Sequence, residues 1–121
     1  METIQQILIA LVAAEHLYFL WLEMFAWETQ GKNIIKKTVA QDFFKQTKGL
    51  AANQGLYNGF LAAGLIWTFF ISDTIWKTNI SIFFLSCVVL AGIYGGLSSN
   101  KKIFFVQALP AIIALAFLLF N

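Results

Sequence analysis

The sequence contains no arginine and few charged residues of any kind. All eight of its basic residues are lysines, six residues are acidic, and charged residues make up only 12% of the chain. Soluble domains carry about 25% charged residues. A fold of 121 residues also cannot hide an apolar content of 60% inside one core. A soluble fold is therefore excluded, and the surplus apolar surface is expected to face lipid.

Cysteine, proline and histidine occur once each. The single Cys87 excludes an intramolecular disulfide and is interpreted as a small packing residue. The single Pro110 is expected to kink the last apolar segment. Motifs for nucleotide binding, zinc peptidase chemistry and nucleophilic hydrolysis are also absent. We therefore expect no cofactor and no metal.

Four long apolar segments account for most of the chain, at residues 4–27, 49–72, 79–98 and 103–120. Each is close to the ~20 residues that a helix needs to cross the hydrocarbon layer. Backbone groups in lipid must be hydrogen-bonded within their own segment, so each span should be helical. The sequence therefore predicts an all-α bundle of four transmembrane helices, with residues 1–121 as a single transmembrane domain.

The lysines are distributed unevenly between the predicted loops. The first loop holds five lysines, the third holds Lys101 and Lys102, and the second holds only Lys77, beside Asp73. Lysine-rich loops face the cytoplasm in most membrane proteins. We therefore expect a multi-pass protein of the inner, cytoplasmic membrane, with loops one and three inside and both termini outside.

The first loop is long, basic and patterned. Ile35, Val39 and Phe43 recur every fourth residue, with most lysines at other positions. This spacing predicts an amphipathic helix at the cytoplasmic lipid interface, where lysines meet anionic headgroups. The helix is either a topology anchor or a lid over a substrate site, and the sequence leaves both open.

Ionisable residues interrupt the first apolar segment in the stretch AEHLYFLWLEMF, residues 14–25. Glu15 and His16 fall at the midpoint of the span, and Glu23 lies roughly 11 Å nearer the cytoplasm. An acidic residue at the bilayer centre costs ~2.5–3.5 kcal/mol even on the mildest insertion scale. Interhelical hydrogen bonds at ~0.6 kcal/mol each do not offset that cost. The cluster therefore predicts a functional polar pocket.

The second apolar segment carries amides in the stretch AANQGLYNGFLAAG, residues 51–64. Because the two spans run antiparallel, Glu23 should lie level with Asn53 and Gln54. Glu15 and His16 should lie level with Tyr57 and Asn58. Small residues at every fourth position beside these amides predict close packing against the first helix. The predicted site comprises Glu15, His16, Glu23, Asn53, Gln54, Tyr57, Asn58, Tyr94 and Gln107, the last two from the third and fourth spans.

Two motifs carry a resemblance to a known family. They are E-H-x-Y-x3-L-E-M-F at residues 15–25 and A-N-Q-G-L-Y-N-G-F at residues 52–60. The chain resembles a family of small bacterial integral membrane proteins that is catalogued only as a domain of unknown function. The resemblance implies four membrane helices and a bacterial origin, and it implies no activity.

Three functions agree with these observations. The leading hypothesis is binding of a small polar or cationic solute in a cytoplasm-facing pocket, with proton-coupled transport of that solute left open. The second is a membrane-embedded enzyme that acts on a lipophilic substrate, with Glu15 or Glu23 and His16 as acid and base. The third is a structural or accessory subunit. The expected partners are the lipid bilayer and a solute or lipid-like ligand. A homo-oligomer is left open, and no nucleic acid is expected.

Overall fold

The computed structural model describes residues 1–35 and 42–120. Within these ranges the chain is all-helical and contains no strand. The six helices of the described residues are α1 (Thr3–Phe25), α2 (Gln30–Ile34), α3 (Phe43–Gln46), α4 (Lys48–Trp67), α5 (Thr74–Ser98) and α6 (Lys101–Leu119).

Three of these helices, α1, α5 and α6, are long and apolar enough to cross a membrane. At ~1.5 Å per residue, the 23 residues of α1 extend about 34 Å, which exceeds the ~30 Å of a hydrocarbon core. Helix α4 has 20 residues, but its first eleven carry Lys48 and three amides, and it is less apolar. The all-helical prediction is confirmed, and three of the four predicted spans are supported. The span predicted at residues 49–72, which corresponds to α4, stays a prediction.

Side-chain caps decide where two of the long helices begin. The Asp73 carboxylate accepts a hydrogen bond from the Trp76 backbone N–H at 3.0 Å, and helix α5 follows it. The Asn100 side chain accepts from the Lys102 N–H at 2.9 Å, and helix α6 follows. Such caps satisfy backbone donors that the first turn of a helix leaves unpaired. Helix α5 therefore begins at Thr74, several residues before the apolar segment predicted from 79.

The described chain divides into two compact units, Met1–Ala14 with Leu61–Asn121, and Glu15–Phe60. The core of the first unit joins residues of α1, α4, α5 and α6. It consists of Ile9, Val12, Ala13, Leu65, Leu85, Val88, Ala111 and Ala114. Gln5 is a buried polar residue in this unit. Its Nε2 donates to the Phe117 carbonyl at 2.7 Å and its Oε1 accepts from the Glu2 N–H at 2.8 Å. Both ends of its amide are thus satisfied.

Glycines of α5 hold α6 close within the first unit. A Cβ atom at Gly92 would lie 2.5 Å from the Ala108 backbone nitrogen and 2.6 Å from its Cβ. A Cβ at Gly95 would meet the Ile103 side chain at 2.7 Å. At Gly92 no larger residue fits without movement of α6, whereas at Gly95 the Ile103 side chain would have to shift. These small residues therefore serve helix packing within the chain.

Helix α6 is irregular just before its proline. Residues Phe104–Ala108 form a π-helical segment, with α-helix on both sides of it. Pro110 has no N–H, and its ring crowds the carbonyl four residues earlier, so a regular ladder cannot continue through this point. The irregularity expected at Pro110 is thus a π-helical segment, which also contains Gln107.

The second unit is organised around Trp27. Its ring packs against Phe44 with centroids 5.2 Å apart, and its Nε1–H donates to the Thr47 hydroxyl at 3.0 Å. Gly31 lies under the same ring, because a Cβ there would be 3.3 Å from Trp27 Cε3. These contacts join α2 and α3 to the end of α1.

The amphipathic helix predicted in the first loop is only partly observed. Helix α2 ends at Ile34, and the Ile35 backbone (φ −87°, ψ 80°) is not helical. A second short helix begins at Phe43. The described part of the loop thus contains two short helices, whereas one continuous helix through Ile35 was expected. Lys36, Lys37 and Val39 lie outside the described residues.

Candidate functional site

Helices α1 and α4 approach closely in the second unit. A Cβ atom at Gly55 would lie 2.8 Å from Met24 Cγ, 3.0 Å from Glu23 Cβ and 3.2 Å from the Leu20 carbonyl oxygen. A Cβ at Gly59 would collide with the Leu20 side chain. The ridge of small residues predicted on the second span therefore packs against the first helix, as expected.

This close packing brings the Glu23 carboxylate to two amides of α4. Gln54 Nε2 donates to Glu23 Oε2 at 2.6 Å, and Asn58 Nδ2 donates to Glu23 Oε1 at 2.6 Å. Both oxygens of the carboxylate are thus engaged from the neighbouring helix. Gln54 and Asn58 are four residues apart, so they lie on one helical face, as predicted. We call Glu23, Gln54 and Asn58 the carboxylate–amide site.

The carboxylate–amide site is partly accessible. Asn58 is nearly buried, Glu23 is half-buried, and Gln54 is exposed. Each amide that donates to Glu23 also carries a carbonyl oxygen that can accept or coordinate. The site therefore combines one negative charge with several oxygen atoms, and its Gln54 side is open to the surroundings of the unit.

The position of Asn58 corrects one detail of the prediction. Asn58 was expected level with Glu15 and His16, but its amide bonds Glu23. The reason is the helix offset, because Gly55 lies against Leu20, Glu23 and Met24. That offset places Asn58 beside Glu23, the glutamate predicted to lie nearer the cytoplasm, and not beside Glu15 and His16.

Glu15 and His16 form a separate pair on α1. Glu15 Oε1 lies 3.9 Å from His16 Nδ1, which is too long for a hydrogen bond. His16 is fully buried, and Phe19 packs edge-on against its ring with centroids 5.2 Å apart. Glu15 Oε1 is buried and has no hydrogen-bond donor among the described residues. A buried acceptor of this kind is costly unless a ligand group or cation satisfies it.

The remaining predicted residues are Asn53 and Tyr57 on α4, Tyr94 on α5 and Gln107 on α6. Asn53 Nδ2 donates to the Tyr57 hydroxyl at 3.3 Å, and both side chains are exposed on α4. Tyr94 and Gln107 belong to the first unit. Tyr94 is 74% exposed on α5, and Gln107 is half-buried in the π-helical segment. No group of three metal-ligating side chains occurs within residues 1–35 and 42–120.

Two site neighbours were not predicted from the sequence. Leu20 and Met24 form the surface of α1 that receives Gly55 and Gly59. With Glu23 they stand at i, i+3 and i+4, the spacing of one helical face. This spacing is the feature of the sequence that could have identified Leu20 and Met24 as neighbours of the site. An exposed ion pair also lies in this unit, with Lys48 Nζ 3.3 Å from Glu28 Oε1.

These features define a small all-helical protein with three helices that could span a membrane and a carboxylate–amide site where α1 meets α4. The chain belongs to the family described as "Protein of unknown function (DUF1304)", which matches residues 10–119. The matched range includes both motif segments, and the predicted resemblance is confirmed.

A curated relative agrees with this assignment. The chain is 37% identical over 117 residues to "Uncharacterized protein YpaA" of Lactococcus lactis subsp. lactis (strain IL1403). The similarity covers 90% of this chain and 91% of that protein. No solved structure matches the chain.

Proposed function

We propose that the protein is a multi-pass protein of the inner membrane that binds a small cationic solute at Glu23, Gln54 and Asn58. The observation that carries the proposal is the pair of 2.6 Å hydrogen bonds that hold the Glu23 carboxylate. Bonds from amides to a carboxylate are typically about 2.7–2.9 Å. The carboxylate is therefore held firmly, while the exposed Gln54 leaves an approach to it.

The chemistry of the two amides suits the exchange of a cation. An amide can donate N–H to a carboxylate, and after rotation its carbonyl oxygen can face a cation or a protonated acid. Gln54 and Asn58 can therefore stay in contact with Glu23 when it is ionised, when it is protonated and when a cation is bound to it. Carboxylate and amide oxygens are also the ligands that hard cations prefer.

The position of the carboxylate on an apolar helix also favours a binding role. Glu23 lies in α1, one of the helices that could span a membrane. A carboxylate in such a helix is costly, and intramembrane acidic residues commonly mark ion or solute paths. The buried Glu15 Oε1 lies about 12 Å along the same helix. It is a second buried oxygen acceptor on the same helix.

The placement in the membrane follows from the lysines and from helix length. Helix α4 has 20 residues, which is long enough to cross the membrane as the span predicted at residues 49–72. Lys45 precedes it, Lys48 is its first residue, and Lys101 and Lys102 begin α6. We propose that these ends face the cytoplasm and that both termini face outward. The carboxylate–amide site then lies in the cytoplasmic half of the membrane.

The test is cation binding to the purified protein in detergent. Isothermal titration with chloride salts of potassium, ammonium, methylammonium, guanidinium and tetramethylammonium covers size and hydrogen-bonding capacity. Glu23→Gln keeps the shape and removes the charge, so it should weaken binding of the preferred cation at least about tenfold. Gln54→Leu should weaken binding less, because it removes one ligand and keeps the charge.

Glu28→Gln is the matched control. It removes one carboxylate from the same unit, but that carboxylate is paired with Lys48 outside the site. It should bind the preferred cation like the wild type. Binding by Glu23→Gln equal to that of wild type, or no binding of any of the five cations, would refute the proposal. Uptake of the preferred cation by proteoliposomes then separates a transporter from a protein that only binds.

A further inference from the structure

An apolar groove lies between the end of α5 and the start of α6, within the first unit. We call it the α5–α6 groove. Its volume is about 290 Å³, and it is lined by Ile93, Gly96, Leu97, Lys101, Phe104 and Phe105. Five of the six lining residues are uncharged, and Lys101 is the charged residue of the lining.

Local packing explains why the groove forms. Helices α5 and α6 are joined by only Ser99 and Asn100, so they diverge little at this end. A Cβ at Gly96 would lie 2.8 Å from Phe104 Cβ, so the helices touch at the base of the groove. The walls are side chains that stand away from this contact. Leu97 is 85% exposed and Phe105 is 61% exposed.

The charge at the mouth of the groove has no carboxylate partner within the part of the chain that the structure describes. Lys101 and Lys102 are both exposed in the first turn of α6. Within residues 1–35 and 42–120 neither amine forms an ion pair with a carboxylate, whereas Lys48 is paired with Glu28. Lys101 therefore brings an unpaired positive charge to the lining of the α5–α6 groove, and Lys102 is the next residue along the chain.

We propose that the α5–α6 groove binds one anionic phospholipid. An acyl chain lies along Leu97 and Phe105, and the phosphate lies at Lys101 and Lys102. The volume is near the lower end of the ~300–1,000 Å³ range of small-ligand clefts, which suits part of one acyl chain. Basic pockets between membrane helices bind anionic headgroups through the same combination of charge and apolar surface.

Charge complementarity favours a lipid over a second copy of the chain. A symmetric dimer through this face would bring Lys101 and Lys102 toward the same residues of the other copy. The resulting repulsion would have no acidic partner on the groove to relieve it. A lipid phosphate supplies the missing negative charge, and its acyl chain covers the apolar walls.

The experiment compares two lipids that differ only in the headgroup. Native mass spectrometry of the protein in detergent measures the dissociation constants of dioleoyl-phosphatidylglycerol and dioleoyl-phosphatidylcholine. Phosphatidylglycerol should bind more tightly. Lys101→Gln and Lys102→Gln should each weaken its binding about fivefold, the change expected for one lysine at a lipid surface. Their effect on phosphatidylcholine should be smaller.

Lys77→Gln is the control for charge. Lys77 lies in the first turn of α5, with its amine 5.8 Å from the centre of the Phe69 ring and away from the groove lining. It should bind phosphatidylglycerol as the wild type does. Equal affinity of the wild type for the two lipids would overturn the proposal. An equal loss in Lys77→Gln and Lys101→Gln would overturn it as well.

A second pair of variants tests the acyl chain. Leu97→Asn makes one groove wall polar and should weaken the binding of both lipids. Leu90→Asn makes the same change on α5 at a position 68% exposed outside the groove lining, and it should leave both affinities unchanged. Equal affinities in Leu97→Asn and Leu90→Asn would contradict the placement of the acyl chain.

Discussion

Adding a methyl group at Gly55 tests the helix contact that holds the carboxylate–amide site. In an open helix position, glycine to alanine stabilises by ~1 kcal/mol. At Gly55 the new Cβ would lie 3.0 Å from Glu23 Cβ and 3.2 Å from the Leu20 carbonyl oxygen. Both atoms are fixed by the α1 backbone, so α1 must move. Overpacking of this kind costs ~1–3 kcal/mol.

Gly49 provides the matched reference on the same helix. A Cβ there would meet nothing within 4 Å, so Gly49→Ala should show the gain from helix propensity alone. The free energy of unfolding of Gly55→Ala should therefore fall ~1–3 kcal/mol below that of Gly49→Ala. Gly59→Ala should lie between them, because the colliding atoms belong to the Leu20 side chain, which can rotate.

The assay is reversible denaturation in detergent, followed by circular dichroism, with cation titration of the same samples. Movement of α1 away from α4 would also lengthen the two 2.6 Å bonds to Glu23. Gly55→Ala should thus lose cation affinity together with stability. Equal stability of Gly55→Ala and Gly49→Ala would refute the close contact and the site geometry that depends on it.

Three further predictions concern other parts of the chain. Asp73→Ala removes the cap of α5 and should lower the free energy of unfolding by about 1 kcal/mol, whereas an unchanged denaturation midpoint would contradict the cap. Trp27→Phe keeps an aromatic ring beside Phe44 but removes the Nε1–H donor and part of the ring area over Gly31, so it should cost at least about 1 kcal/mol; no loss would show that this bond is not stabilising. In a Cys87→Ala background, cysteine at Lys77 should react with an impermeant maleimide in intact cells, and cysteine at Lys45 only after permeabilisation. The reverse pattern would contradict the proposed orientation.

Composition and the long apolar segments were sufficient to predict that the fold is all-helical. A chain this short with so few charges cannot bury its apolar side chains in one core, and long apolar segments in lipid must be helical. The boundaries were less predictable. Helix α5 begins at Thr74 because Asp73 caps it. The cap therefore sets the start of this helix, and the start of the apolar segment at residue 79 does not. The span predicted at residues 49–72 corresponds to the shorter helix α4, Lys48–Trp67, whose amides and Lys48 make it less apolar than the other three long helices.

The polar residues of the candidate site were also evident in the sequence, since Glu23, Gln54 and Asn58 interrupt apolar segments. Their grouping depended on how far α1 and α4 are offset along each other. The long loop between the two helices leaves that offset open, and helical periodicity determines only which residues share a face. The contact of Gly55 with Leu20 and Glu23 decides it. Only the tertiary structure, through the close approach of the α1 and α4 backbones, places Gln54 and Asn58 in hydrogen-bonding contact with Glu23 and not with Glu15.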